Sequence, residues 1–96
     1  MAKGYWIARV DVSNPDAYKK YVEGSAEAFA KYGATFLARG GKVVPLEGQA
    51  RARNVVIAFE SLEQAQACYN SPEYRRARTH RLGAAEAEIC LVEGVA

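Results

Sequence analysis

One histidine, two cysteines and three prolines in 96 residues leave little material for the commoner site chemistries. The lone His80 has no partners for a multi-histidine metal centre, and no nucleophile-elbow sequence accompanies it for a hydrolase triad. Cys68 and Cys90 lack the close spacing of a zinc knuckle or redox pair and read as small core residues, so no metal is expected. Long apolar runs are missing too: nothing resembles a signal peptide or a spanning helix, which points to a cytoplasmic location and no membrane partner. Charge of one sign is also scarce. A net charge of +2 is too small to argue for nucleic acid, and Gly40-Gly41 alone is a turn signal without a phosphate-cradling pattern.

What is present is an ordinary globular composition, 50% hydrophobic and 25% charged. The length suits a single domain, residues 1–96, that buries only about 60–65% of its unfolded surface and gains much from a partner subunit.

Gly4 to Val12 alternates, with Trp6, Ala8, Val10 and Val12 in one phase and Tyr5, Ile7, Arg9 and Asp11 in the other, which predicts a strand. Asn14, Pro15 and Asp16 then supply a helix cap, first turn and dipole partner. Tyr18, Tyr21, Val22, Ser25, Phe29 and Tyr32 follow at helical spacing until Gly33. A second strand is predicted over Ala34 to Arg39, continuing weakly through Val43 and Val44, with Pro45 placing it at a sheet edge. Glu47 to Arg53 reads as a hairpin loop. The run Val55 to Phe59 has the character of a central strand. Ser61 with Gln64 caps a second helix, and Ser71-Pro72-Glu73 is a fresh start signal, so a break is predicted near Asn70. Ala87, Ile89 and Leu91, alternating with Glu86, Glu88, Cys90 and Val92, form the last strand.

The order βαββαβ is an α+β plan: a four-stranded antiparallel sheet with helices on one face and the first and third strands central. The opposite face carries Tyr5, Ile7, Leu37, a third-strand aliphatic and Val92 among Arg9, Asp11, Arg39, Glu86 and Glu88. It is too apolar to stay bare, and a homodimer through the sheet face is the economical cover. The charged residues there would pair across strands or line a pocket between sheets.

The segments Gly4-Tyr5-Trp6-Ile7, Asn14-Pro15-Asp16 with Tyr18 and Tyr21, Phe36 to Gly41, Leu46-Glu47-Gly48 and Ser71-Pro72-Glu73-Tyr74 resemble the bacterial family called domain of unknown function 1330, over nearly the whole chain. The resemblance implies a ferredoxin-like fold in the dimeric α/β-barrel superfamily, whose members include cofactor-free monooxygenases, haem-degrading enzymes and muconolactone isomerases. That range of chemistry means the fold does not carry a reaction with it.

Among candidate site residues, Arg39 stands first. It ends a strand before two glycines on the mixed face, where a guanidinium suits a carboxylate or enolate. Arg9 shares that face. Within Arg75 to Arg81 the arginines spread around a helix, so most meet solvent, and Arg81 is the one expected to face inward. Tyr5, Tyr69 and Tyr74 offer hydroxyl contacts, although tyrosines at such spacings are more often core residues. His80, in a helical region, is the remaining candidate, since haem-binding members of the superfamily use a helical histidine, but its basic surroundings suggest a surface position. The third strand has one aromatic, which argues against the stacking surface of an RNA-recognition domain. Two functional readings follow. The first is an enzyme or binding protein for a small anionic or carbonyl-containing metabolite, working without a cofactor in a pocket between sheet and helices near Arg39. The second is a non-catalytic dimeric protein-interaction module with a fully paired interior.

Overall fold

In the computed structural model, which describes residues 2–96, the chain forms β1 (Gly4–Val12), α1 (Pro15–Lys31), β2 (Thr35–Arg39), β3 (Arg53–Phe59), α2 (Leu62–Tyr69), α3 (Pro72–Arg81) and β4 (Ala85–Glu93). The four strands make one antiparallel sheet in the order β2-β3-β1-β4, with the helices packed on one face, a ferredoxin-like α+β fold. The central places of β1 and β3 follow the alternation and the apolar run that announced them.

The caps act as their residue types dictate. Asn14 Oδ1 accepts from the Ala17 amide at 3.2 Å, and Pro15 opens α1 where its missing N–H costs nothing. Gly33, at φ +71°, takes the chain out of α1 in the left-handed region. Ser61 caps α2 by accepting from the Gln64 amide. At the break after Asn70, the Ser71 hydroxyl donates to the Cys68 carbonyl at 2.7 Å and accepts from the Tyr74 amide at 3.1 Å, so one buried side chain ends α2 and begins α3.

Trp6 centres the core, with ring centroids of Tyr74, Phe29, Tyr69 and Phe59 at 5.0, 5.2, 5.5 and 6.1 Å. Edge-on and tilted geometries dominate, as aromatic quadrupoles prefer. Cross-strand register puts Trp6 beside Ile57 and Leu91, and Ala8 beside Val55 and Ile89, which fixes one whole face of the sheet as core.

Three expectations are corrected. β2 ends at Arg39, and Val43 and Val44 lie outside any strand, so the edge position of β2 does not depend on Pro45. Arg53, expected in the loop, is the first residue of β3. Cys68 is fully buried, but Cys90 is exposed on the face opposite the helices, because it shares the phase of Glu88 and Val92.

The decisive irregularity is in β2. Phe36 pairs with Ile57, but the next bridge joins Ala38 to Val56 and then Arg39 to Val55, leaving Leu37 as an extra residue. Side chains alternate along a strand, so one inserted residue reverses the phase beyond it. Arg39 was expected on the mixed, open face; the bulge turns it to the helix side.

Candidate ligand-binding cleft

Where β1 ends, α1 begins and α3 finishes, the helix and sheet layers part to form a cleft. Its floor is Trp6, Ala8, Val10, Val55, Ile57 and Ile89, its inner wall Phe29 and Phe36, and its helix wall Tyr18, Tyr21, Val22 and Ser25. Three guanidinium groups, from Arg39, Arg53 and Arg81, also line it.

Each guanidinium is held by an aromatic ring. Arg39 lies 4.1 Å from the Phe36 centroid, Arg53 5.6 Å from Tyr18, and Arg81 5.3 Å from Tyr21. Tyr18 and Tyr21 stand one turn apart on α1 with their rings 5.3 Å apart, so Arg53 and Arg81 face neighbouring rings on one helix. Arg53 also packs against Gly40, where a Cβ would come within 2.6 Å of its Nη1; Gly40 is at φ +69°, so glycine serves both the backbone and the arginine.

Among the described residues no carboxylate pairs with any of the three, since every ion pair belongs to Arg9, Lys31 or Arg51. The Nε groups of Arg53 and Arg81 are buried without a hydrogen-bond partner, and Arg81 as a residue is only 8% exposed. Buried donors of this kind are normally satisfied, and guanidinium groups hydrogen-bond carboxylates bidentately.

A hydroxyl pair lies behind the arginines. Tyr21 Oη and Tyr74 Oη are 2.8 Å apart, both buried, and the Arg81 guanidinium sits against them. Burial, reinforced by Tyr74, holds the Tyr21 phenol well above its ordinary pKa; burial does the same for Tyr74. Both remain protonated donors at neutral pH.

The structure separates the residues singled out in the sequence. Arg39 and Arg81 come together in the cleft. Tyr74 contributes from behind, through Tyr21, and is otherwise a core ring. Tyr69 is not part of the cleft: it lines another recess with Gln66, Asn70 and Cys90, and its hydroxyl accepts from Arg78 at 3.0 Å. Tyr5 and Arg9 lie across the sheet on the open face, on the opposite phase of β1 from Trp6. His80 is exposed on α3, away from the cleft lining, and among the described residues no cluster of three metal-ligating side chains occurs. Arg53, Tyr18, Tyr21 and Ser25 were not recognised as site residues. Running the phase of Val55, Ile57 and Phe59 back by two would have found Arg53.

On the open face the acidic residues pair, as one expectation held, but through an arginine the sequence did not mark. Arg51 donates to Asp11 Oδ2 at 2.8 Å, Glu88 Oε1 at 2.9 Å and Glu86 Oε2 at 3.3 Å. The Ala52 amide donates to Asp11 at 2.9 Å, and Arg9 donates to the Gln49 carbonyl and lies 3.6 Å from Glu88. The segment before β3 is thereby strapped over the polar end of this face. The Ala52 amide is the main influence holding the Asp11 carboxyl below its usual range, and Arg51 does the same for Glu88.

Residues 3–95 match the family described as Domain of unknown function (DUF1330). The chain belongs to the DUF1330 family. No curated protein matches this DUF1330 sequence. Among solved structures, a protein of unknown function from Rhodopseudomonas palustris is 17% identical with a TM-score of 0.79, over 99% of this chain and 84% of that one. SnoaB, a cofactor-independent oxygenase from Streptomyces nogalater, is 14% identical with a TM-score of 0.64, over 100% and 96%. A dimeric ferredoxin-like protein of unknown function from Thermobifida fusca is 16% identical with a TM-score of 0.56, over 98% and 92%. At these identities the likeness of the DUF1330 chain to its neighbours is one of fold.

Proposed function

We propose that this DUF1330 chain binds a small anionic or carbonyl-bearing organic metabolite in the helix–sheet cleft, as a cofactor-independent enzyme or a binding protein, and works as a homodimer. The observation that carries the reading is the set of three guanidinium groups without carboxylates over an apolar floor. Arginines of a merely structural kind would bring their acids with them, and a scaffold with a fully paired interior would leave no free Nε groups. The layout matches a ligand with an acid group at the mouth and an apolar body against Trp6 and Phe36. The free space in the cleft is about 30 Å³, so an organic ligand seats its body there by moving lining side chains, with its acid group on the exposed Arg39 at the mouth. Chemistry of the kind named for SnoaB, without a cofactor, is compatible with such a site.

The dimer rests on the open face. Tyr5, Ile7 and Val56 there are half-buried, while Cys90 and Val92 are exposed, and the dimeric Thermobifida fusca neighbour shares the fold.

The test is a thermal-shift screen of small organic acids against wild type and Arg39→Ala. An acid that stabilises the wild type and loses most of that effect in the variant is the expected result. Equal stabilisation of both proteins by every active acid would remove Arg39 from the site.

A further inference from the structure

The Tyr21–Tyr74 pair has two protons and one shared hydrogen bond, which leaves a proton to be accounted for. Tyr74 is 0% exposed and does not line the cleft; among the described residues its hydroxyl has one hydrogen-bond partner, Tyr21, with the guanidinium of Arg81 beside the pair. A guanidinium has no acceptor, so the one acceptor within reach of the Tyr74 proton is the Tyr21 oxygen. Leaving that proton unpaired in the core would carry the full penalty of an unsatisfied donor. Either hydroxyl can donate in this pair; the arrangement that satisfies the deeper proton has Tyr74 donating to Tyr21, which frees the proton of Tyr21, whose side chain lines the cleft, for a ligand beside Arg81. Ser25, the other hydroxyl of the helix wall, donates to the Val22 carbonyl at 3.2 Å and has no proton to offer.

We infer that the ligand carries a neutral acceptor oxygen next to its acid group, as a 2-oxo acid does, with Tyr21 as the hydrogen-bond donor to that oxygen and Tyr74 as the positioning residue that aims it. This rests on the reading of the cleft as an anion site. The arginines recognise the carboxylate and cannot tell a 2-oxo acid from its deoxo analogue. Tyr21 is the group that discriminates, because without the keto oxygen its buried proton finds no partner.

The experiment compares matched acids by calorimetry: 2-oxobutanoate against butanoate, 4-methyl-2-oxopentanoate against 4-methylpentanoate, and phenylglyoxylate against phenylacetate. Wild type is expected to prefer the oxo member of the pairs it binds by about five- to tenfold, the yield of one net hydrogen bond. Tyr21→Phe keeps the ring under Arg81 and should bring the ratio to about one. Tyr74→Phe, which frees the Tyr21 hydroxyl to turn, should give an intermediate ratio; a merely structural loss would weaken both acids alike. Should Tyr74→Phe not fold, the ratio in Tyr21→Phe decides alone. Equal affinities within every pair that binds, or a preference that survives Tyr21→Phe, overturns the assignment and leaves the anion site standing. No binding by any of the six acids overturns the anion reading as well.

Discussion

At the residue scale the cleft depends on small backbone decisions as much as on charged groups. Gly40 is the clearest case: an added methyl must adopt a positive φ and push against the Arg53 guanidinium. Gly40→Ala is expected to lower stability by about 1–2 kcal/mol in urea titration and to displace Arg53, weakening acid binding with it. A variant that binds acids as tightly as wild type would show that Arg53 does not need this seat. The two thiols should part company in the same way. Burial pushes the Cys68 thiol up to about 12, so at pH 8 a thiol reagent should modify Cys68 only on unfolding, whereas Cys90, on the open sheet face beside Ile7, should react without unfolding once the proposed dimer is split by Ile7→Asp. Arg81 was legible in the sequence because helical spacing from Tyr74 and Ala77 is regular. Arg39 was legible as a candidate but not in its direction, since a bulge leaves no mark in the residue types around it. Tyr5 and Tyr69 lie outside the cleft, and their spacing could not say so: an aromatic at strand or helix spacing looks the same whether its face meets a cleft, a core or another subunit.

At the element scale, the junction between α2 and α3 was readable to the residue because capping chemistry is local. Ser71 satisfies the end of one helix and the start of the next with one buried hydroxyl. Ser71→Ala should cost about 1–2 kcal/mol, at the upper end of cap losses, measured as a shift in urea midpoint at constant slope. The long connection into β3 was not readable in this way. Its contacts are non-local, and Arg51 meets acids on β1 and β4 that lie about forty positions away in sequence. This strap should respond to acid. The folded Asp11 and Glu88 carboxyls titrate lower than their unfolded values of about 3.9 and 4.3. Their contribution is therefore complete above those values and fades as pH falls through the lower folded ones. The stability difference between wild type and Arg51→Gln should accordingly shrink from pH 7 to pH 3, and a constant difference would detach Arg51 from both carboxyls.

At the scale of the whole molecule, fold class and strand order followed from alternation, apolar runs and the count of helices, since each of these is a property of segments longer than any single error. The homodimer is a prediction at this scale. Light scattering should report about twice 10.5 kDa, or about 21 kDa, and Ile7→Asp, a charge at the centre of the open face, should shift the particle toward 10.5 kDa. A wild-type particle of 10.5 kDa at working concentrations would remove the proposed contact.

The sheet has two sides with different surroundings, and Leu37 sets which side receives the charge at position 39. Deleting that one codon would give unbroken pairing with the guanidinium still opposite Val55, whereas a strand that kept Leu37 in register with Val56 would swing it to the other compartment without altering any residue type. A one-step slip in the pairing of an edge strand is thus enough to exchange the polarity of the two faces.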